Sequence, residues 1–149
     1  MKKGFKIILA LGLMGVSCAT TTVVANTNSN DVMVVQASRR SRRIKKAVAI
    51  MQDNYNDIAD VYYDKENKVI AIKPTDEGFE EEMIAVLNGD ESEKNWDELT
   101  ASIDKLSETV YEECHIKTPI AIVNPENTDK VLYMSYDGTS LYDVTDNNN

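Results

Sequence analysis

The chain has 149 residues, with 16 Lys+Arg against 25 Asp+Glu and a formal net charge of −9. That length allows one ordinary domain behind an export signal, and the acidity excludes nucleic-acid backbone as a natural partner. Only two cysteines occur, Cys18 and Cys114, which excludes a disulfide framework.

Residues 1–25 read as a signal peptide. Lys2, Lys3 and Lys6 form a positive start, Ile7 to Val16 an apolar stretch, and an uncharged, Thr-rich run follows. Three processing routes fit. Val23-Val24-Ala25 places small residues for cleavage before Asn26, and Val35-Gln36-Ala37 does the same before Ser38. Gly15-Val16-Ser17-Cys18 resembles a bacterial lipobox, which implies lipidation of Cys18 and attachment to a membrane. Residues 26–40 read as a polar linker with a brief extended piece, residues 41–145 as one α+β domain, and residues 146–149 as a disordered tail.

Charge is distributed unevenly. Arg39, Arg40, Arg42, Arg43, Lys45 and Lys46 lie within eight positions, whereas residues 47–149 carry seven bases against 24 acids, a net −17. The basic run has two readings: a solubilising first turn of a helix, or a site that adheres to anionic lipid headgroups or wall polymers. As a helix start it gains nothing from the macrodipole, which disfavours cations there.

From Ser41 the pattern is helical, with Ile44, Ala47, Val48, Met51 and Tyr55 on one face. A hairpin follows, in which pairing Asp64 with Val69 across DKENK sets Val61, Tyr63, Ile70 and Ile72 on one face. Thr75 or Asp76 caps a short helix with the face Phe79, Met83, Val86 and Leu87, which Gly89 ends. Asn95, with Glu98 in capping-box spacing, opens a longer helix whose stripe is Trp96, Leu99, Ile103, Leu106 and Val110. Three strands close the domain. PIAIV is followed by the polar connection NPENTD, then by a hairpin turning at Asp137-Gly138, with Met134 opposite Leu141 and Tyr133 opposite Tyr142. In that register Tyr133 and Tyr142 are half exposed. The fold expected is α+β in the order α-ββ-αα-βββ: one antiparallel sheet of about five strands with helices packed on one face.

No catalytic, cofactor-binding or metal-binding residues emerge. Cys114 and His115 are neighbours at a helix end, where consecutive side chains diverge by about 100°, a poor dyad. They read as a buried structural cysteine and a histidine favoured by the helix C-terminus. The ten acids between Asp76 and Glu98 match no calcium loop and read as a solvated face, and one histidine cannot make a usual zinc site. Among 24 acids, some pair will stand at any separation, so carboxylate pairs carry no signal for hydrolysis.

The segments Val69-Ile-Ala-Ile-Lys-Pro-Thr75, Trp96-Asp-Glu-Leu99 with Ile103, Asn124-Pro125-Glu-Asn127 and the Asp137-Gly138 hairpin, within residues 58–145, resemble small exported proteins of Gram-positive bacteria and their phages. The resemblance implies no catalytic residues. Some phage-encoded lipoproteins of that broad kind exclude other phages, which gives Cys18 its interest. The leading expectation is an exported, non-enzymatic binding protein, secreted or at the cell surface. Its partner would be a protein, an envelope polymer or an anionic membrane surface. The alternatives are a lipid-anchored host-protection protein (phage exclusion or immunity) held through Cys18, and a hydrolase with an unidentified acidic pair.

Overall fold

A computed structural model describes residues 29–90 and 93–148, with side chains described from Arg39 to Asp146. Residues 1–25, read above as a signal peptide and including Cys18 and Ala25, lie outside the described residues. The elements run α1 (Ser29–Tyr55), β1 (Ala59–Asp64), β2 (Val69–Pro74), α2 (Glu77–Asn88), α3 (Glu93–Cys114), β3 (Ile120–Asn124), β4 (Asn127–Tyr136), β5 (Thr139–Asp143) and a closing 3₁₀ turn, Val144–Asn148. The order is the α-ββ-αα-βββ expected, and the fold is α+β.

The five strands form one sheet in the order β1-β2-β3-β4-β5. It is mixed rather than wholly antiparallel, because β2 and β3 run parallel, with Ile70 beside Ile120 and Ile72 beside Ile122. The reason lies in the connection. Adjacent antiparallel strands need only a tight turn, but α2 and α3 together carry the chain back over the sheet, so β3 enters in the direction of β2.

Helix α1 begins at Ser29, well before Ser41. Residues 29–40 belong to it, so the brief extended piece expected there is helix instead. They contain no Gly or Pro and include the strong helix formers Met33, Gln36, Ala37, Arg39 and Arg40. Once the packed half of the helix has formed, each further residue adds a bond without a new nucleus. The Ala37–Ser38 bond therefore falls inside a helix. The basic run sits mid-helix, so the dipole penalty expected of it at a helix start does not arise.

The core lies between the helices and one sheet face. Val61, Ile70, Ile72, Ile120, Ile122 and Tyr133 sit in matching rows across four strands and are all buried. Against them pack Ile44, Ala47, Met51 and Tyr55 of α1, Phe79, Met83 and Val86 of α2, and the stripe Trp96–Leu99–Ile103–Leu106–Val110 of α3, extended by Cys114. Leu87, expected on the inner face of α2, is 40% exposed. Asp76 is the cap of α2, its carboxylate accepting from Phe79 N at 3.2 Å. Gly89 ends the helix at φ 74°, its N–H and that of Asp90 closing onto Val86 and Ala85. Asn95 is not a cap, since α3 is already helical at Glu93.

The two hairpins behave differently. In β1–β2, Asp64 faces Val69 as expected. In β4–β5, Asp137 and Gly138 both take positive φ (47° and 72°), which a type I′ turn demands. The pairing then slips at a bulge. Ser135 faces Ser140, but Met134 faces Tyr142 and Tyr133 faces Asp143, leaving Leu141 as the extra residue. A one-residue slip exchanges sheet faces. Asp143 therefore turns to the core side, where it accepts from Trp96 Nε1 at 3.0 Å, while Tyr133, in the core row beside Ile122, is 2% exposed rather than half exposed. Tyr142 turns outward at 38% exposure. NPENTD is also shorter as a loop than it looks: Asn124 Oδ1 accepts from Glu126 N at 2.9 Å, and β4 resumes at Asn127.

Candidate functional site

On the closed side of the molecule, buried polar groups find partners. The Ser107 hydroxyl lies 2.8 Å from that of Ser135 and accepts from Gly138 N at 2.9 Å. Tyr133 donates to Asp104 at 2.7 Å. The Trp96 ring meets that of Tyr133 edge-on at 6.1 Å. Burial pushes the Tyr133 hydroxyl's pKa well above its usual value, and the hydrogen bond to Asp104 reinforces this. These contacts fix the hairpin to α3.

The basic end of the molecule differs. Arg40 and Arg43 of α1 line a concavity of about 310 Å³ together with His115, Ile116 and Lys117 of the α3–β3 loop. Two local rules bring these distant segments together. Arg40 and Arg43 each stand four residues before a core residue, Ile44 and Ala47, and positions four apart share a helix face. The two arginines therefore carry the body-facing side of α1 past the edge of the core. In the loop, Cys114, Ile116 and Thr118 are buried while His115 and Lys117 are exposed. The left-handed turn at His115 and the burial of Ile116 leave the His115 and Lys117 side chains at the surface beside α1. The loop is tied down where Pro119 O accepts from Ile70 N at 2.9 Å.

His115 itself has φ 52°. It stands immediately after α3, at the position where a helix commonly ends on a left-handed glycine. A residue with a Cβ pays for that conformation, and here the strained position puts an imidazole on the rim of the concavity. His115 is thus outside the helix rather than in its last turn.

The structure divides the six bases expected to act together. Arg40 and Arg43 enter the concavity, while exposed Arg42, Lys45 and Lys46 and half-buried Arg39 do not line it. The two lining residues missed by sequence reasoning as binding groups were His115 and Lys117. The alternation Cys-His-Ile-Lys-Thr was the available signal. Among the described residues, no carboxylate stands within ion-pair distance of Arg40, Arg43 or Lys117. Lys94 and Lys105, by contrast, each pair with a glutamate on the next turn, Glu98 and Glu108.

A second concavity, about 540 Å³, lies between the end of α2 and the β4–β5 hairpin, lined by Leu87, Val131, Met134, Tyr142 and Val144 with Asp129 and Lys130 at its edge. Neither concavity is lined by a pair of carboxylates. Among the described residues, no three His, Cys, Asp or Glu side chains stand together as a metal site. Cys114 is buried beneath the loop, and no described helix is long and apolar enough to cross a membrane.

No family model, curated protein or solved structure matches this chain.

Proposed function

We propose that this is an exported, non-enzymatic protein that attaches to an anionic component of the cell envelope through the basic end of the molecule. The convergence of Arg40 and Arg43 with His115 and Lys117 on one concavity carries the reading. Concentrating cations at one place is unexpected on a body with seven bases and 24 acids, and an anionic partner is the chemistry that uses it. The signal-peptide pattern of residues 1–25 supplies the route to the envelope.

The test is co-sedimentation of the exported protein with purified cell walls at low and high salt. Retention is expected at low salt and should fall steeply as ionic strength rises, since screening shortens electrostatic reach to about 8 Å at physiological salt. Changing Arg39, Arg40, Arg42, Arg43, Lys45 and Lys46 together to Gln should abolish retention without unfolding the domain. Equal retention of that variant and the wild type would contradict the reading.

A further inference from the structure

The anionic group that the basic end accepts can be specified from the concavity, and this step rests on the envelope-binding reading above. We infer that Arg40, Arg43, His115 and Lys117 form a discrete site for a phosphodiester group of an envelope polymer.

Three observations point there. The groups come from two segments far apart in the chain and converge on one concavity of about 310 Å³, a volume at the lower end of ligand sites. Two planar guanidinium forks, an ammonium and an imidazole N–H make a donor set suited to the several oxygens of a phosphate. A single carboxylate offers only two. The backbone at His115 is held in a conformation that glycine would adopt without strain (φ 52°). That left-handed turn ends α3 and places the imidazole on the rim of the concavity.

The shape favours a thread-like polymer over a bilayer. A bilayer would bring its whole anionic surface against a body of net −17, with repulsion over every acidic patch within a screening length. A flexible chain can deliver one phosphodiester into the concavity while the rest stays in solvent. The buried Ile116 gives the loop between its two donors an apolar footing. In this arrangement Arg42, Lys45 and Lys46 attract the polymer from a distance without gripping it.

The test is calorimetric titration of the exported protein with a soluble glycerol-phosphate oligomer at physiological salt. Inorganic phosphate and phosphatidylglycerol vesicles serve as parallel probes. Saturable one-site binding of the oligomer is expected. Arg40→Gln, Lys117→Gln and His115→Gly should each weaken it about tenfold or more, the scale of one lost charge-assisted hydrogen bond. The double change Arg42→Gln with Lys45→Gln should weaken it less than about threefold, as rim charges do. Glycine is the conformationally preferred residue at position 115, so that variant keeps the fold, and thermal unfolding checks it. Weak binding of inorganic phosphate at the same residues would support the phosphate chemistry. Equal losses for the pocket and rim variants would overturn the discrete site while leaving attachment by diffuse charge intact. Binding to vesicles but not to the oligomer would overturn the polymer as its source. No binding to the oligomer, vesicles or cell walls would remove the envelope-binding reading itself.

Discussion

The two ends of α3 are built on opposite principles. Its first two-thirds face the β4–β5 hairpin, where Trp96, Asp104 and Ser107 are each met by a specific partner: Asp143, Tyr133 and Ser135. Its last residue leads into a loop where His115 and Lys117 stand beside Arg40 and Arg43 around an open concavity. At the first end, polar groups are matched inside the chain, and the result is rigidity. At the other, Arg40, Arg43 and Lys117 have no ion-pair partner among the described residues, and His115 takes a left-handed backbone conformation. Stability and binding are thereby assigned to different places, and substitutions should separate them.

The largest effect is expected where the first end meets the core. Leu99→Ala removes a side chain only 2% exposed and should cost about 2–4 kcal/mol, measured by denaturant unfolding, as transfer and cavity terms combine. Binding to cell walls by the folded fraction should be unchanged.

A loss of similar size should appear in alkali. Burial pushes the Tyr55 hydroxyl from 10.0 up to about 12. Its folded pKa lies above its unfolded one, so the folded state holds its proton longer. The stabilisation is therefore complete below pH 10 and is lost as pH rises from about 10 to 12, by roughly 2–3 kcal/mol. Replacing Tyr55 with Phe should remove that part of the decline and, since the hydroxyl has no hydrogen-bond partner among the described residues, should not lower stability at neutral pH. Unfolding curves measured across this range check both points.

Asp143→Ala should cost about 1–3 kcal/mol, because the buried Trp96 N–H loses its acceptor. Tryptophan fluorescence should report a changed environment in the native state. The smallest effect has the opposite sign. His115→Gly relieves a left-handed backbone and should raise stability by up to about 1 kcal/mol. Thermal unfolding measures it, and a loss beyond about 1 kcal/mol would mean that the histidine holds the loop together.

The contrast between the two ends also explains what was legible in the sequence. Features encoded by neighbours were readable: the α3 stripe, the Gly89 stop, the Asp64–Val69 register and the Asp137-Gly138 turn. Each is fixed by local periodicity or by a φ that few residues accept. The bulge at Leu141 was not readable, because the register that fails is overridden by a distant contact, Asp143 with Trp96. The parallel β2–β3 pair was hidden for a similar reason. Its direction is set by a two-helix crossover; the continuous apolar runs VIAI and IAIV mark both strands as buried on both faces but do not state their direction. The early start of α1 was obscured because residues 29–40 show none of the core periodicity that announces a helix. For the candidate site, the basic run stood out, but six adjacent bases look alike until the core stripe of α1 selects Arg40 and Arg43. Their partners His115 and Lys117 lie far along the chain, and only the fold brings them near.

The central claim is that Arg40, Arg43, His115 and Lys117 form one defined site. Backbone amide shifts of the protein, recorded during addition of a glycerol-phosphate oligomer, test it most directly. The changes should concentrate at Arg40, Arg43 and His115–Lys117, saturate together, and leave the Trp96–Asp143 and Ser107–Ser135 region still. Changes spread evenly over Arg39 to Lys46 with none at His115 or Lys117, or none anywhere at saturating oligomer, would contradict it.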